Sequence, residues 1–425
     1  MFESVIAGAE SSVASYCRSF PRVFDHAKGA ELWDAEGNRW IDFLSGAGAL
    51  NYGHNPEQMK QALLDYISDD RIGMSLDLWT VAKAQFLNAF TQNILEPRGL
   101  DYAVQFTGPT GTNAVEAALK LARLATGRSS IGRFTNGFHG MTLGALAATG
   151  NSFHRSGAGV GLTDTQVLPF DGYFGDDVDT LAIIERLFDD PSSGVDLPAA
   201  VLLECVQGEG GLNVARPEWL QGLARLCQAR GVLLIVDDIQ AGCGRSGRFF
   251  SFEDAGITPD IVALSKSLSG FGQPLSIVLH SRALDIWKPG QHNGTFRGNC
   301  LAFVTARVMI ETYWADGRFQ ETLARDAVWQ TNRLQQLAAK FPDMVTGLKG
   351  KGLMQGVVCH DPNVAAAVGA AAFQRGLIIE RCGPQDEVMK IFAPLTISRR
   401  LLEEGFSRLE QAFRDVSTPS RHVAA

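Results

Sequence analysis

Two short apolar runs in the middle of the chain each lead to an ionisable residue. Residues 232–236 are continuously apolar and are followed by Asp237, and the run at residues 261–264 is followed, after one serine, by Lys266. Apolar runs of this length are typical of strands that are buried on both faces of a parallel sheet. Ligands bind beyond the carboxyl ends of such strands. We therefore predict that the Asp237 carboxyl and the Lys266 amine point into one crevice.

The same alternation of strand and helix extends over a large part of the chain. Short strands are predicted at residues 103–106, 131–134 and 199–204, and the amphipathic stretch at residues 218–231 predicts a helix before the central strand. Repeated strand–helix units are typical of the doubly wound α/β class. We expect a large, doubly wound mixed sheet over about residues 100–280.

The regions on either side of this sheet carry other patterns. A glycine-containing turn at residues 34–37 lies between two apolar, aromatic stretches and predicts a β-hairpin. Residues 56–97 show helical periodicity, and a long helical region is predicted from residue 301 to about residue 340. The remainder alternates between strand and helix, which indicates a second, smaller α+β unit.

These patterns divide the chain into three parts. We predict an N-terminal segment at residues 1–55 that packs with the small domain, a large domain at residues 56–312, and a small C-terminal domain at residues 313–425. The polar, small residues at positions 417–425 are expected to be disordered.

Composition and charge exclude several classes of protein. The 425 residues carry a formal net charge of −8, so there is no basic surface of the kind that binds nucleic acid or anionic membranes. No apolar run approaches the length of a membrane span, and no signal peptide is evident. The seven cysteines form no CxxC pair, which predicts reduced thiols, no zinc site and a cytoplasmic location. We expect His54 to make a loop hydrogen bond and not to bind a metal.

The residue types at the two central strand ends point to one cofactor. A carboxylate in a crevice needs a cationic partner to stay ionised, and a desolvated lysine has a lowered pKa and can form a Schiff base. Pyridoxal phosphate offers a pyridinium nitrogen to Asp237 and a carbonyl to Lys266. Taken alone, either residue is better explained as a surface residue at the end of a strand.

Other residues are predicted at the same edge of the sheet. The loop at residues 108–111 precedes a helix that is expected to start near Asn113, and a helix N-terminus of this kind is an anion site. A simple capped helix start, with Thr112 or Asn113 as the cap, explains this loop equally well. The chain positions that follow the neighbouring strands at this edge are Phe138, His139, Glu204 and Glu209.

The motifs together resemble the class III (ω-amino) aminotransferases, which are fold-type I enzymes dependent on pyridoxal phosphate. VDDIQAGCGRSG and LSKS carry the resemblance at the two central strand ends. By this resemblance Asp237 binds the pyridinium nitrogen, Gln240 contacts the phenolic oxygen of the cofactor, and Lys266 forms the Schiff base. The likeness extends from Gly29 to about Gly405 and implies a large α/β domain with a smaller α+β domain.

The resemblance also assigns the remaining cofactor contacts. Gly111 and Thr112 match the phosphate loop, and Phe138 in GFHG matches the aromatic residue that stacks on the cofactor ring. Thr295 in GTFRGN matches a threonine that reaches the phosphate of the neighbouring subunit. The family pattern therefore implies a homo-oligomer, a dimer or a dimer of dimers, with shared active sites.

Within this family the segments QFTGPTGTNAVEAALKLAR, FTNGFHGMTLGALAATGNSF, SSGVDLPAAV and WKPGQHNGTFRGN resemble the diaminobutyrate–2-oxoglutarate aminotransferases, which begin ectoine synthesis. Two departures from the wider family accompany this likeness. Met141 stands where many ω-aminotransferases carry an arginine that holds a distal carboxylate. Lys390 stands at the arginine that pairs with a glutamate, here Glu209, and binds the α-carboxylate of 2-oxoglutarate, although lysine lacks the bidentate fork of arginine.

The resemblance implies transamination between L-2,4-diaminobutyrate, through its 4-amino group, and 2-oxoglutarate, giving L-aspartate 4-semialdehyde and L-glutamate. Three alternatives remain open at this point. One is another ω-aminotransferase, of the ornithine, acetylornithine or 4-aminobutyrate type. The second is a 2,1-aminomutase dependent on the same cofactor. The third is a dinucleotide-binding oxidoreductase or a binding module, against which the missing GxGxxG motif argues.

Overall fold

A computed structural model describes residues 2–417 of the chain. The first residue and residues 418–425 lie outside it, so the disorder that the sequence predicts for the C-terminus falls, beyond Ser417, outside the described residues. Within residues 2–417 the helices are α1 (Phe2–Ala9), α2 (Tyr16–Ser19), α3 (Ser45–Gly48), α4 (Glu57–Ser68), α5 (Val81–Phe90), α6 (Gly111–Thr126), α7 (Leu143–Ala148), α8 (Ser152–Ser156), α9 (Thr180–Asp189), α10 (Pro217–Arg230), α11 (Cys300–Tyr313), α12 (Arg318–Lys340), α13 (Pro362–Gln374) and α14 (Arg399–Ser417).

The strands form two large sheets and one small ribbon. In chain order they are β1 (Phe24–Lys28), β2 (Glu31–Asp34), β3 (Arg39–Phe43), β4 (Tyr102–Gly108), β5 (Ile131–Phe134), β6 (Thr165–Leu168), β7 (Ala200–Leu203), β8 (Val206–Gln207), β9 (Asn213–Val214), β10 (Leu233–Asp237), β11 (Ile261–Leu264), β12 (Ser276–Ser281), β13 (Val345–Lys351), β14 (Met354–Cys359), β15 (Leu377–Cys382) and β16 (Val388–Ile391).

The central sheet has the order β4-β12-β11-β10-β7-β5-β6. Its strands are parallel except β12, which runs antiparallel to both of its neighbours. The predicted doubly wound mixed sheet is therefore confirmed. Because β4, β5, β7, β10 and β11 point the same way, the loops that follow them lie along one edge.

Helix α6 covers one face of this sheet with small residues. The predicted apolar face of the helix is confirmed, because its five members are completely buried against β7, β10, β11 and β12. Small side chains let the helix backbone lie close to the sheet, which fixes where the N-terminus of α6 sits relative to the strand ends. The five residues are Ala114, Ala117, Ala118, Leu121 and Ala122.

The second sheet joins the two ends of the chain. Its order is β1-β2-β3-β15-β16-β14-β13, and β3 pairs in parallel with β15 through Ile41 and Leu377. The predicted hairpin is present as β2 and β3, which pair antiparallel. Helices α13 and α14 pack together beside this sheet, and Phe43, Leu377 and Phe406 belong to its buried apolar cluster.

Several local predictions were wrong. The predicted long helical region is interrupted between Tyr313 and Arg318, and the helical region at residues 56–97 is split by a loop between Ser68 and Val81. The strand β6 was not predicted, because it lies at the edge of the sheet and only Leu168 in it is buried.

Two further findings concern metals and membranes. His54 Nε2 lies 2.8 Å from Asp42 Oδ2, so its polar partner is a carboxylate of strand β3. Among residues 2–417, no group of three or more His, Cys, Asp or Glu side chains is arranged to hold a metal ion. None of the helices in this part of the chain combines the length and the apolar character that crossing a bilayer requires.

Candidate active site

The structure brings Asp237 and Lys266 to neighbouring strand ends. Asp237 is the last residue of β10 and stands in register with Ala263 of β11, and Lys266 follows the end of β11 by two positions. The two strands are parallel, so both side chains begin at the same edge of the sheet. Asp237 is 4% exposed, and its negative charge is close enough to raise the pKa of the Lys266 amine.

Lys266 has an unusual backbone and a perturbed amine. Its φ of 48° lies in the left-handed region, which costs a non-glycine residue roughly 1 kcal/mol or more and is typical of functional sites. Burial lowers the pKa of the Lys266 amine, and the nearby Lys390 lowers it further, while Glu209 acts in the opposite direction. A lowered pKa increases the fraction of neutral amine, which is the nucleophilic and basic form.

The Asp237 carboxylate is held by a histidine. Asp237 Oδ2 lies 2.8 Å from His139 Nδ1, and Asp237 Oδ1 accepts a hydrogen bond from the backbone N–H of Ile239 at 3.2 Å. The His139 side chain is fully buried, and its Nε2 has no hydrogen-bond partner within residues 2–417. His139 therefore orients the Asp237 carboxylate and leaves other lone pairs of that carboxylate available.

Glu204 lies directly after β7 in the same layer. Its Oε2 accepts from the backbone N–H of Phe138 at 3.0 Å, and its Oε1 accepts from that of Gly208 at 3.1 Å. Burial raises the pKa of Glu204 to about 7, an effect that His139 opposes and Asp237 reinforces. The two hydrogen bonds fix the loop that carries Phe138, whose ring meets His154 edge to face at 5.6 Å.

The N-terminus of α6 begins earlier than the sequence predicts. The helix starts at Gly111 and not near Asn113, and the N-cap is Thr110, not Thr112 or Asn113. The cap is closed by Asn113, whose Oδ1 accepts from the Thr110 N–H at 3.2 Å and from the Thr110 hydroxyl at 2.8 Å. The prediction was wrong because Asn113 acts as the N3 partner of the cap and not as the cap itself.

Thr112 is thereby left free to present its hydroxyl at the first turn of the helix. Its Oγ1 lies 2.6 Å from Thr142 Oγ1, and Thr142 in turn donates to Glu116 Oε1 at 2.6 Å. Gly140 passes so close that a Cβ at this position would lie 2.4 Å from Thr112 Oγ1. Its φ of 129° also disfavours any other residue, so this approach of the two loops requires glycine.

Lys390 lies between two carboxylates. Its Nζ is 3.0 Å from Glu209 Oε1, as the sequence predicts, and 2.8 Å from Glu380 Oε2, which the sequence analysis did not identify. Glu380 Oε1 in turn accepts from the hydroxyl of Tyr16 at 2.6 Å. Glu209 also accepts from Gln240 Nε2 at 3.0 Å. These residues form one connected polar cluster beside Lys266.

Gln240 is engaged within this cluster. Its amide nitrogen donates to Glu209 and to the carbonyl of Ala47, and its amide oxygen is buried without a hydrogen-bond partner in the described chain. The resemblance assigns Gln240 to the phenolic oxygen of the cofactor. A hydrogen bond to that oxygen requires the amide to release one of its two present acceptors.

A cavity of about 290 Å³ adjoins these groups. It is lined by Phe138 and Glu209 together with His154, Cys382 and Asp386. No lysine or arginine belongs to its lining within residues 2–417. Of the sequence-predicted site residues, only Phe138 and Glu209 line it within residues 2–417. Met141 is 53% exposed, and Thr295 is exposed on the short turn Thr295–Gly298.

Tyr16 and Glu380 were missed because neither residue type is diagnostic alone. Glu380 carried a usable signal, since it is an acid directly after the apolar run at residues 377–379 of a strand, and a buried acid requires a partner. Tyr16 carried no such signal, because it reaches the site only through the fold.

Comparison with known proteins identifies the family. The family model described as aminotransferase class-III matches residues 13–413. The diaminobutyrate–2-oxoglutarate transaminase of Vibrio cholerae is 56% identical over 402 residues, 95% of this chain and 97% of the relative. The one of Halalkalibacterium halodurans is 54% identical over 411 residues, 97% of this chain and 96% of the relative.

Solved structures agree with this assignment. The ornithine aminotransferase of Toxoplasma gondii superposes with a TM-score of 0.83 at 26% identity, over 98% of this chain and 94% of that protein. An S-selective transaminase from Arthrobacter shares the fold with a TM-score of 0.87 at 22% identity, over 99% of both chains. The chain belongs to the class III aminotransferases.

Proposed function

We propose that this enzyme transfers the 4-amino group of L-2,4-diaminobutyrate to 2-oxoglutarate, giving L-aspartate 4-semialdehyde and L-glutamate. The expected physiological direction is the reverse, with glutamate as the amino donor. The relatives that bear this activity in their names are 51–56% identical over nearly their whole length. That identity, over nearly the whole chain and not in a single motif, is the observation that carries the proposal.

The residues present fit pyridoxal phosphate, the cofactor of this family. A partly desolvated amine, a buried carboxylate with a histidine behind it, and a glycine-containing helix N-terminus lie along one edge of the sheet. They match the carbonyl, the pyridine nitrogen and the phosphate of the cofactor respectively. When bound, the cofactor supplies an electron sink for the charge that develops on the substrate carbon.

Lys266 is the proposed catalytic residue. Lys266 would hold the cofactor carbonyl, and its Nζ, when not bound there, would carry a proton to and from the substrate carbon. The lowered pKa of the Lys266 amine supports this role, because a base must be neutral before it accepts a proton. Because the enzyme with its cofactor would hold the amino group between the two half-reactions, after the first product has left, we expect ping-pong kinetics.

Asp237 is proposed to keep the cofactor nitrogen protonated. A carboxylate stabilises a nearby cation, and the His139 N–H at 2.8 Å fixes which of its oxygens remains available. Glu204 supports this arrangement by holding the backbone of the Phe138 loop, so that the Phe138 ring can lie against the cofactor. His139 and Glu204 are thus proposed as positioning residues.

The phosphate is proposed to bind at the start of α6. The N–H groups of Gly111 and Thr112 are in the first turn of a 16-residue helix and have no partner inside that helix, and the helix dipole favours an anion there. The Thr112 hydroxyl donates to Thr142 and would have to turn away from that partner to donate to the phosphate. Thr295 from a second copy of the chain is proposed to complete the site.

A homo-oligomer with shared active sites is proposed on the basis of an exposed apolar surface. The loop before α5 presents Leu76, Leu78 and Trp79, which are 47%, 63% and 98% exposed. This loop packs on the turn that carries Thr295, since Ser75 N–H donates to the Gly298 carbonyl at 2.9 Å. Large contiguous apolar surface is typical of an interface, so a second copy is expected to cover both segments together.

We further propose that the enzyme is cytoplasmic and serves ectoine synthesis. All seven cysteines are free thiols, which supports a reducing compartment. Diaminobutyrate, the product of the physiological direction, is the amine from which ectoine synthesis proceeds.

A panel of amino donors tests the proposed reaction. The enzyme loaded with pyridoxal phosphate is assayed at fixed 2-oxoglutarate with diaminobutyrate, ornithine and 4-aminobutyrate, and kcat/KM is obtained from glutamate formation. Diaminobutyrate is expected to give the highest value. A higher value for ornithine or 4-aminobutyrate would refute the substrate assignment, and turnover of a diaminobutyrate-sized amino acid without any keto acid would indicate an aminomutase instead.

A further inference from the structure

The cluster around Lys390 contains more negative than positive charge. Lys390 is completely buried, and its Nζ contacts Glu209 at 3.0 Å and Glu380 at 2.8 Å. The Glu380 side chain is 7% exposed and the Glu209 side chain is 31% exposed. The ammonium group of Lys390 therefore neutralises one of two carboxylates, and the cluster has one excess negative charge.

The protonation states support this charge count. The two carboxylates raise the pKa of Lys390 well above its usual value, so its ammonium group persists. Burial opposes ionisation of Glu209, but Lys390 and Lys266 together lower the pKa of Glu209 to about 2. Lys266 is present whichever substrate binds, so it does not distinguish one substrate from another. The second carboxylate, that of Glu380, belongs to the Lys390 cluster.

Glu209 is the member of the cluster that meets the substrate space. It lines the 290 Å³ cavity, and both of its hydrogen bonds to Lys390 and Gln240 use Oε1. The other acid in the lining, Asp386, is 3.8 Å from its nearest cationic group, Arg381. The cavity thus has acidic groups on its wall, and within the described chain His154 lines it but no lysine or arginine does.

We propose that Glu380 is a specificity-determining residue, whose carboxylate leaves the Lys390 cluster negative and so favours amino donors that carry a second ammonium group over donors that end in a bare carboxylate. This inference rests on the proposed function and deepens it. Without Glu380, Lys390 and Glu209 would form a neutral pair that discriminates little between the two kinds of donor. With Glu380, a donor such as diaminobutyrate brings the compensating positive charge itself.

Tyr16 keeps Glu380 in place. Its hydroxyl donates to Glu380 Oε1 at 2.6 Å, while Oε2 faces Lys390. Oε1 thus meets the N-terminal segment, and Oε2 meets the ammonium group of the residue that stands opposite Glu380 in the neighbouring strand β16. Tyr16 acts on the substrate only through Glu380, so it is a positioning residue.

The test is Glu380→Gln in the full-length enzyme loaded with pyridoxal phosphate. The substitution keeps the shape and leaves Lys390 with one carboxylate partner, so no charge is left unpaired. A unit charge about 10 Å away at an effective dielectric constant of about 20 changes affinity roughly tenfold. We expect KM to rise roughly tenfold for diaminobutyrate and to fall for 4-aminobutyrate. In calorimetry, glutarate, an unreactive dicarboxylate, should bind more tightly to Glu380→Gln than to the wild type.

Opposite shifts of the two KM values in one variant distinguish an effect of charge from structural damage. Glu380→Asp retains the charge and is expected to keep the donor preference of the wild type, and Tyr16→Phe is expected to shift both KM values less than Glu380→Gln does. Glu321→Gln removes the same charge from an exposed position on α12 and is expected to change neither KM. Thermal melting verifies folding of each variant.

The outcomes distinguish this inference from the proposed function. If the wild type uses diaminobutyrate but Glu380→Gln moves both KM values in the same direction, the role of Glu380 is refuted and the function stands. If the wild type rejects diaminobutyrate but Glu380→Gln still moves the KM values of ornithine and 4-aminobutyrate in opposite directions, the substrate assignment is refuted and the role of Glu380 stands.

Discussion

Asp238 is a buried acid beside Asp237, and its surroundings predict an unusual response of stability to pH. Asp238 is 1% exposed, and its Oδ2 accepts from the Ser251 N–H at 3.0 Å. Its Oδ1 has no hydrogen-bond partner in residues 2–417. Burial, reinforced by Asp237, raises the pKa of Asp238 from its usual 3.8 to about 7. We predict that Asp238→Asn stabilises the protein near pH 7.5 more than at pH 5.5.

The magnitude follows from linkage between protonation and folding. The folded pKa of Asp238 is above the unfolded pKa, so its contribution to stability is full below about pH 4 and is lost as pH rises to about 7. The loss is about 1.4 kcal/mol per pH unit, hence about 2 kcal/mol between pH 5.5 and pH 7. Asparagine does not titrate and avoids this loss.

Thermal melting at several pH values measures this effect. The difference in Tm between Asp238→Asn and the wild type should become more positive by about 2–4 °C from pH 5.5 to pH 7.5, given the entropy of unfolding of a domain of this size. Asp343→Asn, at an exposed position, is the matched control and should show no such trend. A Tm difference that does not vary with pH would refute the argument that Asp238 is protonated in the folded protein.

Three further substitutions test other parts of the structure. Lys266→Ala should abolish transamination and the borohydride-reducible link to the cofactor, and a variant with full turnover would remove Lys266 from its proposed role. Asp237→Asn should slow proton transfer in single-turnover experiments more than it weakens cofactor binding, so an unchanged single-turnover rate would count against it. Phe303→Ala removes a fully buried ring that stacks on Phe86 at 5.7 Å, and should lower the free energy of unfolding by about 3–5 kcal/mol in chemical denaturation, whereas a loss below about 1 kcal/mol would contradict the packing described.

The sequence predicted the edge of the sheet well because apolar runs and their end residues are local signals. The strands that end at Asp237 and before Lys266 were identified from continuous apolar residues, and the structure confirms both. The edge strand β6 was missed because its exposed residues interrupt the pattern. The helix start at Gly111 was misplaced because capping depends on a reciprocal bond between Thr110 and Asn113 and not on residue type alone.

Contacts between distant residues were the part that the sequence could not give. The pairing of Lys390 with Glu209 followed from the family resemblance. Its pairing with Glu380 depends on the register of β15 and β16, in which the two residues stand opposite each other, and the pairing of Glu380 with Tyr16 depends on how β15 and the N-terminal segment are brought together. The domain boundaries at residues 55 and 312 stay predictions. The pairing of β3 with β15 supports grouping the N-terminal segment with the C-terminal sheet.

The parallel pairing of β3 with β15 also constrains the order in which the chain folds during synthesis. The hairpin of β2 and β3 is local and can form early. The free edge of β3 stays unpaired until residues 377–379 of β15 are made, near the end of translation. Until then the nascent chain has an exposed strand edge, which favours pairing with other chains. We expect the central sheet to fold first. The polar cluster of Tyr16, Glu380 and Lys390 should form last, because Tyr16 reaches Glu380 only after the N-terminal segment has joined β15. Prematurely terminated chains should therefore aggregate through the N-terminal hairpin even though their central sheet is complete.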